Sequence, residues 1–186
     1  MPTLRSEPRP LTARDYRRLP EGPPYYQLIE GDLYMAPSPD RFHQDILGNL
    51  YFILRSYLEN HPLGSVHLAP SDVQLTDLNV YQPDLYYVSR TRRAILTGQG
   101  VRGAPNLVVE ILSSRTAKLD SGIKREIYGR SGVEEMWIVD PAMKQIAVFR
   151  FAKAIDTPAG TYGVRQKFDS PLFPGLKIDL ARVFEP

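Results

Sequence analysis

From Asp40 to Asn60 the apolar residues Ile46, Leu47, Leu50, Tyr51, Leu54, Tyr57 and Leu58 fall on one stripe of a 3.6-residue period. The stripe predicts an amphipathic helix that Asp40 can cap and His61-Pro62-Leu63-Gly64 ends. Upstream, Tyr25 to Ile29 and Leu33 to Met35 read as two short strands joined near Glu30-Gly31-Asp32, an N-terminal hairpin that Pro37-Ser38-Pro39 closes. Thr12 caps a short helix before it. Downstream, Val66 to Ala69, Asp72 to Thr76 and Asp84 to Val88 read as strands, and Thr91 to Ala104 as a loop with one short helical turn. Leu107-Val108-Val109-Glu110-Ile111-Leu112 is a near-continuous apolar run, the pattern of a central strand covered on both faces. A second helix is predicted from about Lys118 to Arg130, with Ile123 and Ile127 on one stripe and Ser131-Gly132 as its stop. Met136 to Val139 and Gln145 to Phe149 flank Asp140-Pro141 as a hairpin, and a last strand runs near Tyr162 to Phe168 before a short C-terminal segment. Helices and strands thus intermingle, which predicts an α/β or α+β domain.

Composition narrows the chemistry. A chain of 186 residues, 42% hydrophobic and 24% charged, can bury one core. The expected organisation is an N-terminal arm over residues 1–11, carrying Pro2, Pro8 and Pro10, followed by a single domain over 12–186. Zero cysteines exclude disulfides, thiolate zinc sites, iron–sulfur clusters and Cys nucleophiles. The three histidines, His43, His61 and His67, are too scattered for a zinc site. No apolar run approaches the ~20 residues of a membrane span, and the first residues lack a signal peptide's apolar stretch, so a soluble cytoplasmic protein without a membrane partner is expected. The net charge of +2 hides an asymmetry. Between Arg90 and Arg130 nine basic residues stand against three acids, while the rest of the chain is acidic on balance, so positive charge gathers in the segment that carries Glu110 and Lys124.

Glu110 is the most informative residue. A carboxylate within an apolar strand costs several kcal/mol if it stays charged and uncompensated, so a cation, a metal or a proton must answer it, unless the residue merely ends its strand facing water. Asp84 follows Pro83 at the start of another strand. If the two strands are neighbours, two carboxylates converge, and hard oxygen donors with no His or Cys beside them select Mg²⁺ or Mn²⁺. Taken alone, Pro83-Asp84 is equally an ordinary turn that opens a strand. Asp120, Lys124 and Tyr128 stand four apart on the second helix and share a face, so the helix can set Lys124 over the end of the Glu110 strand; a surface Asp–Lys pair would look the same. Tyr128 and Trp137 read as packing residues.

These segments, in order, carry a resemblance. Pro83-Asp84, Ala104 through Ser113, Asp120…Lys124…Tyr128 and Gly132 through Pro141, with Tyr26 to Gly31 and His43, resemble the Uma family of putative restriction endonucleases, of the PD-(D/E)XK nuclease superfamily. The resemblance spans about residues 12 to 150. It implies a restriction-endonuclease-like fold, a mixed β-sheet flanked by helices, and a metal-dependent nuclease, foremost an endodeoxyribonuclease, with Mg²⁺ or Mn²⁺ as cofactor, DNA as partner and a homodimer as its assembly. Asp84, Glu110 and the Ile111 carbonyl are the implied metal ligands. Leu112 stands where the superfamily's pattern has Lys, and the resemblance moves that basic role to Lys124. Glu30 is the implied further acid, completing the metal shell or accepting a proton; an ordinary turn carboxylate is the competing reading. His43, Arg115 and Lys118 are the expected substrate-binding residues; a satisfied, half-buried histidine is the competing reading of His43. Two alternatives stand beside the enzyme: a nuclease fold retained as a DNA-binding or regulatory module tied to mobile elements, and a hydrolase of a small phosphorylated substrate held in a closed pocket.

Overall fold

Thr12 opens the first helix, α1 (Ala13–Tyr16), through a capping box in which its side chain and that of Asp15 each accept from the other's backbone. Asp40 opens the second, α2 (Arg41–Asn60), by accepting the His43 N–H at 2.8 Å. The computed structural model describes residues 9–20, 22–36, 38–113 and 120–185, so most of the expected N-terminal arm lies outside the described residues.

Among the described residues, the first of two six-stranded sheets contains β1 (Tyr26–Ile29), β2 (Asp32–Met35), β4 (Asp72–Thr76), β5 (Asn79–Tyr81), β7 (Leu96–Thr97) and β8 (Gly100–Arg102), in the order β2-β1-β5-β4-β8-β7. The second contains β3 (Gly64–Leu68), β6 (Leu85–Ser89), β9 (Leu107–Ile111), β10 (Glu135–Asp140), β11 (Gln145–Arg150) and β12 (Gly160–Gly163), in the order β12-β11-β10-β9-β6-β3. A two-stranded ribbon of β13 (Lys167–Asp169) and β14 (Lys177–Asp179) leads into a C-terminal helical turn, Leu180–Val183. In the second sheet β9 runs parallel to β10 and antiparallel to β6. All five residues of β9 are buried, as its apolar run requires.

Ile46, Leu50 and Leu54 of α2, with Phe173 and Ile178 near the C-terminus, cover one face of this mixed sheet. Its other face meets Val73, Tyr81 and Val101 of the first sheet and Tyr128 of α3 (Arg125–Ser131). α1 packs Ala13 against Leu28 and Val80 on the far side of the first sheet. The fold is therefore the expected mixed sheet flanked by helices, with an N-terminal hairpin. Strand alternation divides β9: Leu107, Val109 and Ile111 turn toward α2, while Val108 and Glu110 turn toward the seam with the first sheet and α3.

Several elements differ from the sequence expectation. β5, β7 and β8 have two or three residues each, too short to show a period, and exist through pairing: β5 with β1 and β4, β8 with β4, and β7 with β8. The loop expected over Thr91 to Ala104 is thus a 3₁₀ segment, Arg90–Ile95, followed by β7 and β8. The strand expected near Tyr162 to Phe168 is split into β12 and β13, which belong to different sheets. The second helix is a π-helical turn, Asp120–Lys124, continued by α3 and ended by Gly132, whose φ of 98° supplies the left-handed cap.

Candidate active site

Glu110 enters the seam from the middle of the mixed sheet with only 4% of its surface exposed. Its Oε1 lies 2.7 Å from Lys124 Nζ and accepts a 2.8 Å hydrogen bond from the Tyr128 hydroxyl. The lysine, 2% exposed, ends the π-helical turn that follows β9. Its ammonium also sits 5.6 Å from the centre of the Tyr81 ring, which meets Tyr128 edge-on at 5.2 Å. A carboxylate on one side and an aromatic face on the other compensate the buried cation. Side chains four apart on one helical face deliver both Lys124 and Tyr128 to the same oxygen. Tyr128, which its apolar surroundings mark as packing, is thus a hydrogen-bond donor to the acid.

Asp84 lies just before β6. The register that sets Leu85 opposite Val109 sets Asp84 opposite Glu110 when it is continued by one residue. Asp84 is one-fifth exposed. Its Oδ2 accepts the Ile111 N–H at 2.7 Å, and its Oδ1 lies 3.2 Å from His43 Nε2 in the first turns of α2. Burial of the His43 ring works against its charge, yet the hydrogen bond and charge of Asp84, with the charge of Asp40 and the Ile111 carbonyl, raise its pKa above the ordinary value. His43 Nδ1 is buried without a hydrogen-bond partner among the described residues.

Glu30 occupies the two-residue turn between β1 and β2. Its φ of 50° and that of Gly31 at 90° are both left-handed, as a type I′ turn needs, and a non-glycine residue there carries strain of about 1 kcal/mol. Buried Asn79 holds it: its Oδ1 accepts the Glu30 N–H at 3.0 Å and the Tyr81 hydroxyl at 2.8 Å, while its Nδ2 donates to Thr76 Oγ1 at 3.0 Å. Glu30 itself is exposed. Burial raises the Tyr81 pKa first, and the charges of Glu30 and Glu110 raise it further, so both acids act on one phenol.

The structure therefore pairs Glu110 with Lys124, ties Asp84 to the Ile111 N–H and to His43, and links the Glu30 backbone to Tyr81 through Asn79. Arg115 and Lys118 lie outside the described residues, and so does the side chain of Asp120. Tyr81 and Asn79 escaped the sequence reading because β5 is only three residues long. Two surface concavities, of about 460 and 310 Å³, lie elsewhere, around α1 and the loop between β7 and β8.

Among the described residues no group of three or more His, Asp or Glu side chains is placed to hold a metal ion. Two carboxylates and a backbone carbonyl nevertheless suit a hard cation such as Mg²⁺, which keeps several waters and takes other oxygens from a phosphate substrate. The donor chemistry fits that ion and excludes a thiolate or histidine-rich zinc site.

No curated protein matches the chain. A crystal structure described as a putative nuclease belonging to DUF820, from Anabaena variabilis, matches it with a TM-score of 0.77 at 20% identity, covering 94% of this chain and 98% of that one. At that identity the likeness is one of fold. The profile described as "Uma2: Putative restriction endonuclease" matches residues 13–181, nearly the whole chain, and the protein belongs to that family.

Proposed function

We propose that the protein is a metal-dependent nuclease that hydrolyses phosphodiester bonds, specifically an endodeoxyribonuclease working in the cytoplasm. The observation that carries this reading is Glu110, buried in the central strand and 2.7 Å from a buried lysine, with Asp84 at the entry to the neighbouring strand. A fold does not need two acids and a lysine at one end of its central strands, whereas phosphate hydrolysis does. Family membership supports the same class of reaction.

In this reading Asp84, Glu110 and the Ile111 carbonyl would hold Mg²⁺ or Mn²⁺. Bound there, the cation supplies Lewis-acid polarisation of the scissile phosphate and lowers the pKa of the attacking water. Lys124 places a fixed positive charge where negative charge grows on the phosphate, and because Glu110 and Tyr81 already hold it, little reorganisation is needed as the charge develops. Glu30, exposed at its turn, accepts the proton that the water loses and passes it to solvent. His43 steadies Asp84 from α2. Arg115 and Lys118 engage backbone phosphates in the basic segment. Cutting both strands of a duplex would call for two copies of the site, hence a homodimer.

Supercoiled plasmid incubated with the purified protein and Mg²⁺ or Mn²⁺ tests the reading. Nicked and linear products are expected, lost in Asp84→Ala and Lys124→Ala, with RNA of matched sequence cut more slowly. Nicking that survives Asp84→Ala would place the reaction elsewhere. Binding without cleavage by the wild-type protein would favour the DNA-binding or regulatory module instead.

A further inference from the structure

The first sheet carries a row of side chains that leads from the candidate site to an exposed edge. Gln27 and Tyr34 are direct partners across β1 and β2, so their side chains share a face. The pairing of Leu28 with Val80, continued by one residue, sets Gln27 beside Tyr81, and the Gln82 N–H donates to Gln27 Oε1 at 3.2 Å. Tyr81, Gln27 and Tyr34 therefore line up across three strands, beginning at the ring beneath Lys124. At ~4.8 Å per strand, Tyr34 stands about 10 Å from Tyr81, within the reach of one or two nucleotides. β2 is the sheet's edge strand, and Tyr34 is 38% exposed. The Ala36 N–H donates to the Tyr25 carbonyl at 2.8 Å and extends the ladder, so Tyr25, 40% exposed, shares this face diagonally from Tyr34.

We propose that this hairpin face is a stacking platform for an unpaired base beside the phosphate being cut, so that strands with unpaired bases are better substrates than continuous duplex. The proposal rests on the nuclease reading and adds the form of the nucleic acid. Residues 25–36 contain no Lys or Arg and two acids, Glu30 and Asp32. Such a surface repels phosphates and suits the uncharged part of a nucleotide. A tyrosine ring offers a π-face to any base, whereas a base inside duplex DNA already has both faces stacked.

The test uses a single-stranded oligonucleotide, its fully paired duplex, and the same strand carrying the fluorescent base 2-aminopurine. With Mg²⁺ or Mn²⁺, the single strand is expected to show the lower KM. Tyr34→Ala should raise that KM by about 5- to 150-fold with kcat little changed, and Tyr34→Phe should restore it. Quenching of 2-aminopurine, read without metal on uncut strand, should fall in Tyr34→Ala and return in Tyr34→Phe. Unchanged KM and quenching in Tyr34→Ala, or equal loss in the Phe and Ala variants, would overturn the platform. A wild-type protein that quenches 2-aminopurine but cuts no nucleic acid would support the platform while removing the nuclease reading; one that cuts single strand and duplex with equal KM would leave that reading standing and remove the platform.

Discussion

Replacing Lys124 by methionine, similar in length and apolar, keeps the volume and removes the charge. Because Glu110 is 4% exposed and its Oε1 lies 2.7 Å from the ammonium, the carboxylate loses this charged contact while staying in the seam. Breaking one side of a buried pair costs about 3–5 kcal/mol. For a chain of 186 residues the entropy of unfolding is about 0.4 kcal/mol per kelvin, so Lys124→Met should lower the melting temperature by about 8–13 °C. The double variant Lys124→Met/Glu110→Gln removes both charges and keeps an oxygen for the Tyr128 hydroxyl, so it should regain most of that loss. Calorimetric or fluorescence-monitored melting at neutral pH measures all four proteins of the cycle. A drop of less than about 3 °C in Lys124→Met, or a double variant no more stable than the single ones, would refute the idea that the two buried charges depend on each other. Cleavage should be absent in all three variants, including the recovered double, which separates catalysis from folding.

Asn79→Ala leaves the Glu30 N–H and the buried Tyr81 hydroxyl without their acceptor and should cost about 1–3 kcal/mol in urea unfolding, whereas Asn79→Asp keeps the oxygen and should cost less. Asp84→Asn should abolish cleavage and any Mn²⁺-induced rise in melting temperature while the protein stays folded; an undiminished rise would show that the metal binds elsewhere. His67, stacked on Tyr86 and bonded to Ser65, has its pKa lowered by burial. The unfolded chain therefore takes up this proton first as pH falls, so His67 has no effect on stability well above about pH 6.5 and subtracts from it progressively below. His67→Gln should flatten that acid limb of the melting curve, and an unchanged limb would contradict the assignment.

The parts of the fold legible in the sequence are those whose period is long enough to count. Twenty residues of α2 repeat their apolar stripe over five turns, and the β9 run lacks alternation because both its faces are covered. β5, β7 and β8 carry no such signal, since two or three residues are too few to show a period and their pairing alone defines them. The site divides in the same way. Glu110 betrays itself by being a charge in an apolar strand, and Lys124 by its spacing from Tyr128. Tyr128, Tyr81 and Asn79 have residue types that are at home in any core or turn. Their roles rest on where hydroxyl and amide atoms end up, which follows from the packing of the first sheet on the mixed one.

That packing links stability to chemistry in one place. The ammonium of Lys124 is enclosed by Glu110 on one sheet and Tyr81 on the other, so the seam that closes the core also fixes the charge pair. In the proposed reaction a rigid pair would limit the reorganisation needed at a phosphate, but the carboxylate already carries two donors on Oε1. A cation would therefore have to share Glu110 with Lys124 or draw mainly on Asp84, which is the more exposed of the two acids. Asp84 is in turn held by the Ile111 N–H and His43. The acid nearer the water is thus fixed from β9 and α2, while the deeper acid is fixed from the seam. A site made this way gains its precision from four separate elements, and a shift in the packing of any one of them would move one acid relative to the other.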